Sequence, residues 1–244
     1  MNPDPKKFYN ERMPHKLGAD YEHARWHANA FQEAQYAMMQ EVMRSSVIPL
    51  AKDARRILEV GPGSGTWTKF LLKANETAEY TLLDISAEML SRAQASLPHS
   101  SPVSYVENDF LAYESAEKFD LIFSSRALEY IPDKPAAVRK IASLLLPNGT
   151  AVIITKMPKP FFEKVSGRKT PDLHTGQIAP PGLIRLFQEN GLRLRLVRIA
   201  TATLPGFKSP FLNRITHQLL SGLPLIAPFR IFAESYIIVA SKPS

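Results

Sequence analysis

One short stretch of the chain combines an acidic residue with closely spaced glycines. Glu59 is followed by Gly61, Gly63 and Gly65, and Thr66 comes next. Glycines let the backbone turn sharply and let a ligand lie directly against it. A nicotinamide-dinucleotide turn reads G-x-G-x-x-G, and Thr66 stands where its last glycine would be. The carboxylate at position 59 would repel a pyrophosphate and would suit a ligand with a cationic amino-acid portion.

Two more acidic residues follow at comparable places. Asp84, with Ile85 after it, ends the next apolar segment, where a carboxylate can accept hydrogen bonds from ribose hydroxyls. Asp109 and Phe110 follow the third apolar segment, and they can bind an adenine amino group and its ring face. Ser125 begins a stretch that would border the same crevice. These residues together favour S-adenosylmethionine (SAM), which carries an ammonium and a sulfonium but no phosphate.

Alternating strand and helix patterns would position these residues. Such alternation predicts parallel strands joined by right-handed crossovers, with helices on both faces of the sheet. The polar residues would then meet beyond the carboxyl ends of the strands, where open α/β sheets bind ligands. The predicted strands are 55–60, 80–85, 103–108, 119–125 and 150–156, and the predicted helices are 66–74, 86–97 and 135–145.

The two ends of the chain depart from this rhythm. Residues 1–20 are expected to be poorly ordered, and 21–46 are expected to form one helix. We therefore divide the chain into an N-terminal segment with a cap helix (1–50) and a main domain (51–244). Beyond the proline-rich loop 158–181, the patterns predict a helix at 180–192 and strands at 193–202 and 233–243.

The last two predicted strands are separated by an insertion, residues 203–232. It contains an amphipathic stretch with an apolar helical side and a polar one. The insertion is interpreted as an interfacial membrane helix, as the wall of a pocket for a lipid-like acceptor, or as a helix packed on the sheet. The apolar side carries Phe211, Leu212, Ile215, Leu219 and Leu220, and the polar side carries Asn213, Arg214, His217, Gln218 and Ser221.

Composition narrows the possible classes of protein. The chain has 244 residues and no cysteine, which excludes disulfides, thiolate metal sites and cysteine nucleophiles. No run reaches the ~18 apolar residues of a membrane span, so a cytoplasmic protein is expected. Residues 1–155 hold 17 basic and 19 acidic residues, whereas 156–244 hold 13 and 4. The basic third is expected to face an anionic acceptor, a phospholipid surface or nucleic acid, or simply to be a solvated surface.

The order of these motifs resembles the class I SAM-dependent methyltransferases, in particular the broad group with the ubiquinone and menaquinone biosynthesis methyltransferases. The resemblance is carried by the acid-and-glycine turn, Asp84, Asn108-Asp109-Phe110 and the stretch FDLIFSSRALEYIPD (119–133). It implies a doubly wound, mostly parallel α/β sheet of seven strands in the order 3-2-1-4-5-7-6, with strand 7 antiparallel. It places Glu59 near the methionine amino group, Asp84 on the ribose, and Asp109 with Phe110 at the adenine. The three glycines would lie under the ligand.

The resemblance implies a SAM-dependent methyltransferase that transfers the methyl group by in-line displacement to a small or lipid-like acceptor. Tyr130 and His174 are the candidate residues at the acceptor. No metal-ligand pattern is present, and the basic residues form no recognisable RNA-binding module. An RNA methyltransferase and a SAM-binding protein without catalytic activity are the alternatives. Peripheral membrane contact is a further expectation.

Overall fold

A computed structural model describes residues 4–12, 21–99, 101–158, 176–204, 209–223, 225 and 227–244. Its centre is a seven-stranded sheet with the order β3-β2-β1-β4-β5-β7-β6, as the resemblance implied. The first five strands run parallel, and β7 pairs antiparallel with both β5 and β6. The strands are β1 Arg56–Val60, β2 Glu79–Asp84, β3 Val103–Glu107, β4 Phe119–Ser125, β5 Leu145–Lys156, β6 Arg193–Ala202 and β7 Ala233–Ser241.

Both faces of the sheet are buried, which explains why the central strands are continuous apolar runs. Successive side chains of a strand point to opposite faces. Ile57 therefore joins the apolar cluster on one face, whereas Leu58 joins the cluster on the other. Both side chains are fully buried. A strand covered on both sides needs apolar residues at every position.

Helices connect the strands and cover the two faces. Ser86 caps α6, because its hydroxyl accepts a hydrogen bond from the Met89 backbone N–H at 3.2 Å. The helices in the main domain are α5 Thr68–Ala74, α6 Ala87–Ser96, α7 Lys134–Leu144, α8 Pro180–Glu189 and α9 Pro210–Leu220, with 3₁₀ turns at Leu128–Tyr130 and Ala227–Phe232.

The N-terminal region differs from the single helix that was predicted. The chain forms α1 Pro5–Lys7, α2 Tyr21–Trp26, α3 Ala30–Val42 and α4 Ile48–Ala51, with π-helical turns at Phe8–Arg12 and Met43–Val47. The helix expected over 21–46 breaks before α3, because the Asn29 side chain caps α3 by accepting from the Gln32 backbone N–H at 3.0 Å. The expected disorder of residues 1–20 is wrong for 4–12, which are helical.

Helix α9, inside the insertion, packs against α3 and β6 with two of its polar residues inward. Asn213 and His217 are buried, whereas Phe211 is 70% and Leu219 is 69% exposed. The Asn213 side chain accepts a hydrogen bond from the Leu204 backbone N–H at 2.7 Å, which ties α9 to the end of β6. The amphipathic pattern predicted a helix correctly, but part of its apolar side faces outward. None of the described helices is long and apolar enough to cross a membrane.

Candidate functional site

A cavity of about 460 Å³ lies beyond the carboxyl ends of β1 to β5. Residues that follow these strands form its floor, and α1, the turn after it and α2 form its cover. Most of the predicted site residues meet here. Those lining the cavity are Gly61, Gly63, Thr66, Asp84, Ile85, Asp109, Phe110, Ser125 and Tyr130.

The turn after β1 depends on glycine at its first position. Gly61 has φ +72°, and its N–H donates to the Leu83 carbonyl at 2.8 Å. A Cβ on Gly61 would lie 2.4 Å from the Cβ of Ala127, so no side chain fits there. Gly63 has φ +58° and open space around it. Gly65 does not line the cavity but packs against α6, where its Cβ would lie 3.1 Å from Ser96 Oγ.

Asp84 presents a carboxylate at the end of β2. Its Oδ1 accepts from the Ser86 N–H at 2.9 Å, and its Oδ2 accepts from the Gly63 N–H at 3.4 Å. Burial raises the pKa of Asp84 to about 6, although these backbone N–H groups oppose the shift. The group is therefore mostly ionised at neutral pH and can accept hydrogen bonds from a ligand.

The segment after β3 supplies a turn and an apolar wall. Asp109 Oδ1 accepts from the Leu111 N–H at 2.7 Å, which fixes the turn. Phe110 is buried in the core, yet it also lines the cavity. The Asn108 N–H donates to the Asp84 carbonyl at 3.0 Å, so the ends of β2 and β3 are held together.

Glu59 lies behind the glycine turn rather than in the cavity wall. It is 1% exposed, and its Oε2 accepts from Thr68 Oγ1 at 2.8 Å. Burial raises the pKa of Glu59 to about 7, and the hydrogen bond from Thr68 opposes this shift. In this arrangement the side chain joins β1 to the start of α5. Its predicted contact with a methionine amino group stays a prediction.

The other side of the cavity, at the ends of β4 and β5, carries cations. Arg126 has φ +66°, and its Nε donates to Glu129 Oε1 at 2.8 Å. Glu129 also accepts from Thr155 Oγ1 at 3.1 Å and from the Lys156 N–H at 3.3 Å. Burial raises the pKa of Glu129, but Arg126 outweighs this effect and the pKa is lowered overall. A buried carboxylate thus joins Arg126 to β5.

Residues near the N-terminus close the cavity from above. Tyr9 Oη donates to Tyr130 Oη at 2.8 Å, and the hydroxyls of Ser64 and Thr66 donate to Glu22. Arg25 lies 4.2 Å above the ring centroid of Trp26 and lines the cavity. Sequence reasoning missed Tyr9, although an Asp-Pro pair at 4–5 is a usual start of a helix.

Of the two residues predicted at the acceptor, the structure describes Tyr130 but not His174. Tyr130 lies in the cavity wall, and burial raises its pKa to about 12, so its phenol stays protonated at neutral pH. His174 lies outside the described residues. Lys156 lines the cavity as well, although no spacing pattern in the sequence pointed to it.

The strand order and the position of the cavity define the Rossmann-like methyltransferase fold. Residues 58–151 match the family model described as a methyltransferase domain. Over this segment the chain is similar to the class I, SAM-dependent methyltransferases, as the motifs predicted, and the observed sheet confirms the predicted fold.

Proteins similar to this chain include two named methyltransferases. A malonyl-[acyl-carrier protein] O-methyltransferase of Ilyobacter polytropus is 31% identical over 131 residues, which cover 52% of this chain and 49% of that protein. A trans-aconitate 2-methyltransferase of Azoarcus sp. is 31% identical over 116 residues, which cover 48% of this chain and 44% of that protein. The matching segment thus spans about half the length of these relatives.

Solved structures share the fold over nearly the whole chain. The N-methyltransferase NodS of Bradyrhizobium japonicum, in complex with S-adenosylhomocysteine (SAH), has a TM-score of 0.62 at 17% identity and covers 97% of this chain and 99% of its own. The magnesium protoporphyrin IX methyltransferase of Synechocystis with bound SAH has a TM-score of 0.66 at 16% identity and covers 97% of both chains.

Proposed function

We propose that this protein binds SAM in the cavity and transfers its methyl group to a small organic acceptor. The observation that carries the proposal is the meeting of Asp84 with Gly61 and Gly63 at the ends of β1 and β2. The family match and the named activities of the relatives support it. In the reaction, an acceptor atom forms a bond to the methyl carbon while the C–S bond breaks. The sulfur keeps the electron pair, and SAH is the product.

Each residue of the cofactor side has a role in this proposal. Asp84 accepts hydrogen bonds from the ribose hydroxyls, because its carboxylate is ionised at neutral pH and lines the cavity. The backbone at Gly61 and Gly63 lies against the amino-acid portion. Phe110 packs on the adenine, and Asp109 lies at the adenine edge. Ile85 adds an apolar contact, Ser125 borders the methionine portion, and Thr66 lies under the cover.

The chain contributes mainly positioning to the reaction. Well-oriented reacting groups can have effective molarities of about 10⁵ M or more. Tyr130 is a neutral hydrogen-bond donor at neutral pH, since burial raises its pKa, so we assign it to orienting the acceptor. The cover formed by α1, its following turn and α2 excludes water from the cavity.

A calorimetric titration with SAH tests the cofactor. We expect the wild-type protein to bind SAH, Asp84→Asn to bind about 30-fold more weakly or worse, and NAD not to bind. Asp53→Asn is the matched control, because Asp53 is exposed and does not line the cavity. Absence of SAH binding to the wild-type protein would contradict the proposal, as would equal binding by Asp84→Asn.

Methyl transfer itself needs a separate measurement. Protein incubated with SAM labelled in the methyl group is expected to label a small-molecule or lipid fraction of a cell extract. Label in the RNA fraction that is lost on addition of salt would favour the RNA methyltransferase instead. Tight SAH binding with no transfer to any fraction would favour a SAM-binding protein without catalytic activity.

We further propose that α9 makes a peripheral membrane contact. Among the described residues Phe211 and Leu219 are the most exposed large apolar ones, and Leu223 and Ile231 are 42% and 50% exposed. Exposed Arg214 would attract anionic headgroups.

Vesicle flotation tests the membrane contact. We expect the protein to float with vesicles of phosphatidylcholine and phosphatidylserine, and the double variant Phe211→Ser, Leu219→Ser to lose most of this binding. Leu194→Ser removes a comparably apolar residue, 38% exposed, from β6 and serves as the control. Equal flotation of the double variant and the control would exclude α9 as the contact.

A further inference from the structure

Cations line the cavity on the side opposite the proposed cofactor residues. Gly61, Asp84 and Asp109 follow β1, β2 and β3, whereas Arg126 follows β4 and Lys156 ends β5. In the sheet, β2 and β3 lie on one side of β1, whereas β4 and β5 lie on the other side. Both cations belong to the cavity wall. The cavity therefore has a cofactor side at the ends of β1 to β3 and a cationic side at the ends of β4 and β5.

Arg126 has hydrogen-bonding capacity that the fold does not use. Its Nε pairs with Glu129, and within the described residues its terminal nitrogens Nη1 and Nη2 have no hydrogen-bond partner. The side chain is 22% exposed, so this edge of the guanidinium is available to a ligand in the cavity. Two parallel N–H groups on a planar guanidinium match the two oxygens of a carboxylate.

Lys156 is the second cation with spare capacity. Its backbone N–H donates to Glu129, but its ammonium has no hydrogen-bond partner in the part of the chain that the structure describes. Burial lowers the pKa of Lys156 and the charges of Arg126 and Arg25 lower it further, whereas Glu234 and Glu129 oppose the shift. The neighbouring Ser125 hydroxyl is also buried without a partner among these residues. Such groups are expected to meet a polar ligand.

Arg25 has a different position and is not part of this pair. It belongs to α2, the helix whose Glu22 accepts hydrogen bonds from Ser64 and Thr66 in the glycine turn. The charge of Arg25 also acts on Arg126 and Lys156, so Arg25 lies between the two sides, and we assign it to the carboxylate of the methionine portion. The cations at the ends of β4 and β5 are then left for a second ligand.

We propose that Arg126 and Lys156 form an anion-binding subsite for the acceptor, and that the acceptor carries a carboxylate. This inference rests on the proposed function, because it takes the cofactor to lie at the ends of β1 to β3. The guanidinium edge binds both carboxylate oxygens, and Lys156 adds a point charge. A neutral acceptor would offer no anionic oxygen to the terminal guanidinium nitrogens of Arg126 or to the Lys156 ammonium.

Ligand binding to the SAH-saturated protein tests the subsite. The probes are malonate, succinate and trans-aconitate, with uncharged malonamide and inorganic phosphate as comparisons. We expect at least one carboxylate to bind, malonamide not to bind, and phosphate to bind more weakly. In Lys156→Met the carboxylate affinity is expected to fall about tenfold or more. Arg126→Lys keeps the positive charge beside Glu129 but removes the planar guanidinium edge. Its affinity for the carboxylate is therefore expected to fall several-fold.

A control and a second titration separate the possible outcomes. Lys69→Met removes an exposed cation outside the cavity and is expected to bind the carboxylate normally. SAH affinity is measured in every variant. Failure of the wild-type protein to bind SAH overturns the proposed function, whereas SAH binding without carboxylate binding overturns only the subsite. A tenfold loss of SAH affinity in Lys156→Met also overturns the subsite, since Lys156 would then hold the cofactor. If phosphate binds more tightly than any carboxylate probe, the proposal that the acceptor carries a carboxylate is wrong.

Discussion

The two sides of the cavity differ in what holds them in place. On the cofactor side, the backbone fixes the geometry: glycines with positive φ, strand-end N–H groups and a carboxylate that accepts from two of them. On the cationic side, side chains fix the geometry through the buried pair of Arg126 and Glu129. A binding site formed by the backbone suits a ligand that all members of a fold family share, such as the cofactor. A side-chain cluster changes with single substitutions, so it suits the partner that distinguishes one member of a fold family from another.

The largest effect is expected from breaking the cationic side. Glu129→Ala leaves Arg126 without its partner in a buried setting, and it should lower the free energy of unfolding by about 3–5 kcal/mol. Chemical denaturation measures this loss. Glu114→Ala breaks the exposed pair with Lys140 and should leave the stability unchanged.

If Glu129→Ala does not fold, Glu129→Gln keeps the shape and is expected to show a smaller loss. The folded Glu129→Gln variant should still bind SAH within about threefold of the wild-type affinity, because the pair lies outside the cofactor side. A larger loss of SAH affinity would mean that the two sides are not separate units.

The next effect comes from the boundary between the two sides. In Gly61→Ala the left-handed backbone should cost about 1–2 kcal/mol of stability as strain. The clash of the new Cβ with Ala127, which follows β4, should cost a further ~1–3 kcal/mol. Gly191→Ala is the matched control, since Gly191 has φ +73° but open space around it. Thermal and urea unfolding measure the stability of both variants. An equal loss of stability in Gly61→Ala and Gly191→Ala would show that backbone strain accounts for the whole effect and that the contact with Ala127 relaxes.

A moderate effect is expected from pH on the cofactor side. Asp84 has a pKa raised to about 6, so below that pH it is protonated and loses acceptor capacity. SAH affinity should therefore fall about tenfold between pH 7.5 and pH 5. Calorimetry across this range measures the fall, and Asp84→Asn should remove it.

The variant Glu59→Gln, measured by the same calorimetry across pH, shows whether Glu59 contributes to the pH dependence of SAH binding. Burial raises the pKa of Glu59 to about 7, so a direct contact with the amino group of the ligand would make affinity fall already near pH 7. From its place behind the glycine turn, we expect Glu59→Gln to leave the pH profile centred near the pKa of Asp84. A profile that shifts in this variant would instead place the ligand against Glu59.

The smallest effects are expected from the cover. Glu22→Ala removes the contacts to Ser64 and Thr66 and should weaken SAH binding by about threefold to tenfold. Tyr9→Phe removes only the bond to Tyr130 on the cationic side and should leave SAH affinity unchanged. Equal effects of the two variants in the SAH titration would mean that the cover acts as one rigid piece.

Most of the sheet was predictable because its strands are buried on both faces. Strand β4 at 119–125 and strand β6 at 193–202 agree with the predicted bounds. The cofactor side was predictable for a related reason, since polar residues that directly follow parallel strands must meet at one edge of the sheet. Asn148 adopts the left-handed conformation, φ +64°, which asparagine tolerates better than most residues with a side chain.

The cationic side and α9 were harder to predict because they depend on tertiary packing. Lys156 is a single cation at a strand end, and it reaches the cavity only because β5 lies beside β4. The amphipathic pattern of α9 favoured burial of its apolar side, yet Asn213 and His217 are the residues that face β6 and α3. Periodicity predicts a helix, but the surface that the helix meets decides which side is inward.

The position of β7 has a consequence for the newly made chain. This strand lies between β5 and β6, although it follows both of them in the sequence. While the ribosome is still translating residues 233–241, β6 has no neighbour to pair with and β5 has an open, apolar edge. Such edges can pair with other chains. The sheet therefore closes only after β7 has been made, and we expect the nascent chain to depend on chaperones until β7 has emerged.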